Sequence, residues 1–101
     1  MKLELESGTV IQDATEADIR SRLQGQAFAI LSETADSYVQ FARQQDGPLE
    51  YVLEYQDASL DHHFCATDAS ISLERVVSAF IGYLRRESGW RSEFNWERVE
   101  L

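Results

Sequence analysis

Three side chains near the middle of the chain are of the types that carry out chemistry: Glu54, His63 and Cys65. A carboxylate beside an imidazole can act as a general base or supply metal ligands, and a thiol near an imidazole is a candidate nucleophile. His62 and His63 are neighbours on a predicted strand, so their rings point to opposite faces and do not readily chelate one ion. The competing interpretation is an exposed cross-strand Glu54–His63 ion pair and a structural cysteine, because acidic neighbours disfavour a thiolate.

The sequence contains none of the common catalytic or metal-binding motifs. It has no glycine-rich phosphate loop, no G-x-S-x-G and no C-x-x-C, and its carboxylates lack the spacing of a calcium loop. Its one cysteine cannot form an internal disulfide. We therefore expect a protein that is not an enzyme and that uses no cofactor and no metal. The alternatives are a small metal-binding or hydrolytic enzyme that uses Glu54, His63 and Cys65, and a homodimeric structural protein.

The charge is strongly acidic and unevenly distributed. The chain has 18 acidic and 9 basic residues, for a formal net charge of −9. This balance disfavours nucleic acid and anionic lipid as partners, since both require a basic surface. The segment from Leu23 to Glu74 contains nine acidic residues, and Arg43 is its one lysine or arginine. Such a field attracts a basic partner, although acidic surfaces also serve solubility alone.

The hydrophobic pattern predicts an α+β domain over residues 1–101: an antiparallel meander sheet of four to six strands with two helices packed on one face. The first helix begins after Thr15, which has Asp18 at the capping-box spacing, and ends near Gly25. The second begins after Ser72 and ends at Gly89. Gly82, inside it, marks a close helix–sheet contact or has no special role. The four central strands are predicted at 28–33, 38–43, 49–56 and 61–67, with a loop at 46–48. A short strand is predicted around Leu3 and Leu5, with Val10 and Ile11 continuing it after a break, and a final strand is predicted in the tail.

The pairing of the last two of these strands decides which side chains share a face. A turn with an even number of residues puts Phe64 beside Leu53 and Tyr55, and it puts His63 and Cys65 beside Glu50 and Glu54. A shift of one residue would reverse both sets. We favour the first register, because it places Phe64 with the apolar side chains.

Three segments carry a resemblance to a known group: residues 50–55 (EYVLEY), 73–80 (LERVVSAF) and 94–97 (FNWE). In these segments the chain resembles the small α+β immunity proteins of bacterial polymorphic-toxin systems, over about its last half. Members of that group are non-enzymatic and bind a cognate toxin, often a nuclease or a deaminase. The resemblance implies a cognate toxin as the partner, and a basic toxin such as a nuclease would fit the acidic charge of the chain.

The leading hypothesis is a non-catalytic protein whose acidic sheet face binds a basic protein. The residues predicted to bind are Glu50, Glu54, Asp57, Asp61 and His63, with Trp90 as an exposed aromatic anchor. The first residues lack the pattern of a signal peptide, and no apolar run is long enough to cross a membrane. We therefore expect a cytoplasmic protein, monomeric or homodimeric, that binds neither nucleic acid nor membrane.

Overall fold

A seven-stranded antiparallel sheet and two α-helices form the described part of the chain. The computed structural model describes residues 1–44 and 50–100. The strands lie side by side in the order β2-β1-β3-β4-β5-β6-β7. Their bounds are β1 Lys2–Leu5, β2 Val10–Ile11, β3 Phe28–Thr34, β4 Ser37–Arg43, β5 Tyr51–Gln56, β6 His63–Ala66 and β7 Trp96–Arg98, and the helices are α1 Glu16–Arg22 and α2 Leu73–Leu84.

The predicted α+β class and antiparallel sheet are confirmed, but the predicted number of strands is too low. The extra strand is β2, which has two residues and folds back on β1 after a turn at Gly8. A segment of two residues shows no alternation that a sequence pattern could detect. The predicted loop at 46–48 and the first residue of the predicted strand 49–56 lie outside the described residues.

Polar side chains at their N-termini start both helices. The Thr15 hydroxyl accepts the N–H of Asp18 at 3.2 Å, and the Asp18 carboxylate accepts the N–H of Thr15 at 2.9 Å. The predicted capping box is therefore present, with aspartate in the place of the usual glutamate. Ser72 caps α2 by accepting the N–H of Arg75 at 3.3 Å.

The end of α2 differs from the prediction. The helix stops at Leu84, five residues before Gly89, and Arg86 takes the left-handed conformation with φ 59°. The N–H of Glu87 donates to the carbonyl of Gly82, and the N–H of Arg86 donates to that of Tyr83, both at 3.0 Å. This is a Schellman ending, which closes the helix without glycine. Gly89 instead begins a short 3-10 helix, Gly89–Glu93.

Gly82 allows that 3-10 helix to lie directly against α2. A Cβ on Gly82 would stand 2.7 Å from the Cβ of Trp90, closer than real Cβ atoms approach. Gly82 does mark a close contact, but the predicted helix–sheet contact is wrong, because the atoms nearest to it belong to Trp90 of the 3-10 helix. Its neighbour is the segment that follows α2, which packs Trp90 back onto the helix.

The predicted hairpin register between β5 and β6 is also confirmed. His62 does not join the strand, because residues Leu60–His62 form a 3-10 turn, and β6 is accordingly shorter than the predicted strand at 61–67. The facing pairs are Glu54 with Cys65, Tyr55 with Phe64 and Gln56 with His63.

The sheet has two unlike faces. We call the face that joins the hydrophobic core the inner face; its strand residues are Leu3, Leu5, Ala29, Leu31, Val39, Phe41, Leu53 and Tyr55. Buried residues of both helices, among them Ile19, Val76 and Phe80, belong to the same core. We call the opposite face the outer face, and register assigns to it Lys2, Glu4, Val10, Phe28, Ile30, Ser32, Tyr38, Gln40, Ala42, Val52, Glu54, Gln56, His63, Cys65 and Glu97.

Candidate functional site

The outer face brings together Glu54, His63 and Cys65, the three side chains of chemical interest. Cys65 lies directly across from Glu54 in the β5–β6 ladder, and His63 lies diagonal to it. Glu54 Oε2 stands 3.7 Å from His63 Nε2, and it also accepts a hydrogen bond from the Gln40 amide at 2.7 Å. The predicted Glu54–His63 contact is therefore present in the structure.

The expectation that this ion pair is exposed is wrong, because His63 is only 3% exposed. The Tyr38 ring meets the imidazole edge-on, with the centroids 6.1 Å apart. His63 Nδ1 lies 3.0 Å from Oε1 of Gln56, whose amide nitrogen donates to the carbonyl of Asp36 at 3.1 Å. That donation turns the Gln56 oxygen toward the imidazole, which assigns the hydrogen to Nδ1 and leaves Nε2 facing Glu54.

Tyr38 completes this buried polar network. Its hydroxyl donates to Gln56 Oε1 at 3.3 Å. Burial, with smaller contributions from Glu54 and Asp36, raises the pKa of the Tyr38 hydroxyl above its ordinary value. The hydroxyl therefore remains a donor at neutral pH. A satisfied network of this kind holds the imidazole rigidly in one orientation.

Cys65 is poorly suited to act as a nucleophile. Burial raises the pKa of its thiol above the ordinary value, and the charges of Glu54 and Glu97 raise it further. The thiol is thus protonated at neutral pH, and the thiolate is the nucleophilic form. Over residues 1–44 and 50–100, no three or more His, Cys, Asp or Glu side chains are arranged to hold a metal ion. The geometry adds no support to the catalytic and metal-binding alternatives.

The remaining predicted site residues are dispersed. Asp57 and Asp61 are exposed in the connection between β5 and β6, and Asp57 lies 3.8 Å from the guanidinium of Arg91. Glu50 precedes β5, and its carbonyl accepts the N–H of Gln44 at 3.0 Å. This bond continues the ladder by one residue, so strand alternation puts Glu50 on the outer face with Glu54.

Trp90 is not the exposed anchor that we predicted, since it is only 7% exposed. Its ring packs edge-on against those of Tyr55, Tyr83 and Trp96, at centroid distances of 5.3, 6.1 and 5.8 Å. The 3-10 helix after α2 turns it inward, against Gly82. Trp90 therefore belongs to the core and not to the candidate site.

Sequence reasoning missed an apolar patch on the outer face, which consists of Phe28, Ile30, Ala42 and Val52. Phe28 is 43% exposed, and the patch lines a depression of about 150 Å³ next to Glu54. The sequence of β3 does indicate such a patch, because Phe28 and Ile30 alternate with Ala29 and Leu31, which are also apolar. A strand that is apolar on both faces, in an antiparallel sheet with one face in the core, must expose one set.

The charged residues are arranged differently on the two sides of the sheet. The described strands place Glu4, Glu54 and Glu97 on the outer face, where Lys2 is their one Lys or Arg counterpart. The two strand arginines, Arg43 and Arg98, pair with inner-face residues. Five further carboxylates are within ion-pair distance of arginines from α1, α2 and the segments that follow α2: Glu16, Glu33, Asp57, Asp68 and Glu87.

A second concave surface lies along α2 on the helix side. This groove has a volume of about 880 Å³, and its apolar lining residues include Val77, Ile81 and Phe94. Its lining includes equal numbers of arginines and glutamates, namely Arg20, Arg75, Arg85, Glu74, Glu87 and Glu93. The groove therefore has no charge preference comparable to that of the outer face.

Comparison with known proteins gave no relatives: no family model, no curated protein and no solved structure matches this chain. In the described residues, neither helix has the length and apolar character that a membrane span requires. The function is therefore inferred from the residues of the outer face.

Proposed function

We propose that this protein is a cytoplasmic, non-catalytic binding domain whose acidic outer face covers a basic surface of a partner protein. An immunity protein that neutralises a cationic toxin, such as a nuclease, acts in this way. The observation that carries the proposal is the excess of carboxylates on the outer face, in a chain of net charge −9. The proposal takes both helices to pack on the inner face, and the core that they share with the inner-face strands supports this.

Glu54 and Glu97 are available to a partner because, in the described residues, neither has a lysine or arginine within ion-pair distance, whereas Glu4 lies 3.2 Å from Lys2 on the same face. Glu54 accepts a hydrogen bond from the neutral amide of Gln40, and Glu97 faces the protonated thiol of Cys65. Charges left without a close cation extend their field into solvent, where the field accelerates the approach of a basic protein. By contrast, Asp68 and Glu16 lie within hydrogen-bond distance of arginines.

Charge reversal at Glu50 and Glu54 tests the proposal. The immobilised protein would be incubated with lysate of its native host at low and at high salt, and retained proteins identified by mass spectrometry. We expect a basic protein to be retained at low salt and depleted at high salt. The double variant Glu50→Lys, Glu54→Lys should lose it, because the reversed charges repel a cationic surface.

The matched control makes the same charge change on the helix side. Glu74 and Glu93 are both exposed. The variant Glu74→Lys, Glu93→Lys has the same net charge as the outer-face variant, because each replaces two glutamates with two lysines. We expect this control to retain the partner. If both variants lose the partner equally, the effect depends on net charge alone and not on the outer face. If the outer-face variant retains the partner as well as the wild type does, the proposal is contradicted. With the purified partner, the outer-face variant should associate at least about tenfold more slowly, and its association rate should depend less on salt.

A further inference from the structure

We infer that the outer face recognises an extended cationic segment through a single large apolar side chain inserted between its basic ones. The inference rests on the proposed function and deepens it, because it specifies the chemistry of the partner. The occupant is a stretch of the partner protein in which lysine or arginine alternates, on one face, with a bulky apolar residue.

The apolar patch supplies the central contact. Phe28, Ala42 and Val52 face one another across β3, β4 and β5, and Ile30 lies one row further along the sheet. The depression among them has a volume of about 150 Å³, which suits one apolar side chain. Phe28 remains 43% exposed, so a partner that covers this patch removes apolar surface from water.

Two carboxylates flank this depression along one strand. Val52 lies between Glu50 and Glu54, which are two positions away on either side and therefore on the same face. Alternate residues of a strand are about 6.6–6.8 Å apart, and an extended partner segment has the same repeat. Its apolar side chain over Val52 thus brings the two flanking basic side chains over Glu50 and Glu54.

The site is largely formed before binding. Gln40 holds Glu54 with a hydrogen bond of 2.7 Å, and the buried His63 stands on its other side at 3.7 Å. Pre-arranged side chains lose little conformational entropy when a ligand binds. A second copy of this chain is a poorer occupant, because face-to-face packing would bring Glu50 and Glu54 against their own counterparts.

The test uses three synthetic peptides titrated into the ¹⁵N-labelled full chain and followed by NMR. The first repeats lysine–serine–leucine–serine; the second has serine in place of leucine; the third has glutamine in place of lysine. We expect the first to bind at least about tenfold more tightly than either control, since the patch and the carboxylates act together. Its shift changes should centre on the outer-face residues of β3, β4 and β5.

The peptide outcomes separate this inference from the proposed function. Equal affinity for the two lysine peptides would overturn the inference and leave the acidic-face proposal standing. Equal affinity for the two leucine peptides would overturn both, because the carboxylates would then be irrelevant. Binding of neither lysine peptide would also overturn both, and so would shift changes confined to the groove along α2.

Two variants assign the apolar contact to the patch. Phe28→Ser should weaken binding of the leucine–lysine peptide about tenfold and leave the serine–lysine peptide unchanged, because only the leucine reaches the patch. Val10→Ser is the matched control, since Val10 is 48% exposed on the same face but at the β2 edge of the sheet. An equal effect of the two substitutions, or none from Phe28→Ser, would contradict the inference.

Discussion

The two sides of the sheet use their charges in opposite ways. On the helix side, Arg75 donates to the Asp68 carboxylate at 3.1 Å and to the carbonyl of Glu93 at 2.7 Å, and its guanidinium lies 4.5 Å from the centre of the Phe94 ring. On the outer face, Glu54 meets an amide and an imidazole. The arginines thus join elements of the fold, whereas Glu54 on the outer face contacts no lysine or arginine in the described residues, so that its field extends into solvent.

This difference shows that a count of charges along the sequence overstates the field of the surface. Glu33, Asp57 and Asp68 belong to the acidic stretch between Leu23 and Glu74, yet each is within ion-pair distance of an arginine from the helical half of the chain. A carboxylate that an arginine contacts contributes little to long-range attraction, because the two charges cancel at a distance. The excess of carboxylates without a close arginine is therefore smaller than the sequence suggests, and Glu54 and Glu97 on the outer face are part of it.

The largest expected effect compares one residue type on the two faces. Phe41 on the inner face is 1% exposed, and Phe28 on the outer face, in the neighbouring strand, is 43% exposed. Phe41→Ala should lower the free energy of unfolding by about 3–5 kcal/mol, because it leaves a cavity in the core. Phe28→Ala should cost about 1 kcal/mol or less. Urea unfolding of both variants measures the difference, and equal losses would show that the outer face is also core.

A glycine pair tests how tightly the helix side is packed. Gly82→Ala should destabilise by about 2 kcal/mol, because overpacking costs up to about 3 kcal/mol and the better helix propensity of alanine offsets about 1 kcal/mol. Gly89→Ala is the control, since a Cβ there meets nothing within 4 Å. Its stability should change by less than about 0.5 kcal/mol. Thermal unfolding that ranks the two variants equally would contradict the close contact between α2 and Trp90.

Carboxylates on the two sides should differ in their contribution to stability. The N–H of Asn95 and then the Arg75 guanidinium hold the pKa of Asp68 below its usual range. Asp68→Asn should therefore cost about 1 kcal/mol at neutral pH. Glu97→Gln, on the exposed outer face, should change stability by less than about 0.5 kcal/mol.

The pH dependence of the same variants gives a second measurement. Because the folded pKa of Asp68 is depressed, its contribution is complete above the ordinary aspartate value of about 3.9 and is lost as the pH falls through the folded value. Urea unfolding between neutral pH and about pH 2 should show a shallower acid decline for Asp68→Asn than for the wild type. An unchanged decline would indicate that the Asp68 interactions do not stabilise the fold.

The smallest expected effect is on thiol reactivity. Glu54→Gln should increase the rate of Cys65 alkylation near pH 8 by about two- to threefold, because removing that negative charge lowers the pKa of the thiol. Glu4→Gln is the control: Glu4 is on the same face, but β3, β4 and β5 separate its strand from that of Cys65. Equal rates in all three proteins would show that the Glu54 charge does not reach Cys65.

Short-range features account for most of what could be predicted of the fold. The Thr15 and Ser72 caps are formed by residues three apart in sequence, and each cap is present where the pattern placed it. The β5–β6 register followed from pairing Phe64 with the apolar side of β5. In the candidate site, the same alternation correctly predicted that Glu54, His63 and Cys65 share one face of the sheet. These predictions succeed because local geometry decides which face a side chain takes.

The sequence by itself therefore determined the α+β class, the helix starts, the central hairpin and the acidic excess. Only the tertiary structure decided that His63 and Trp90 are buried, and that Phe28 and its apolar neighbours are exposed. It also selected which carboxylates meet arginines more than 50 residues away, such as Glu16 with Arg85, 69 residues apart. The physical reason is that burial and ion pairing depend on which distant elements pack together, whereas capping and strand alternation are set by neighbours in the chain.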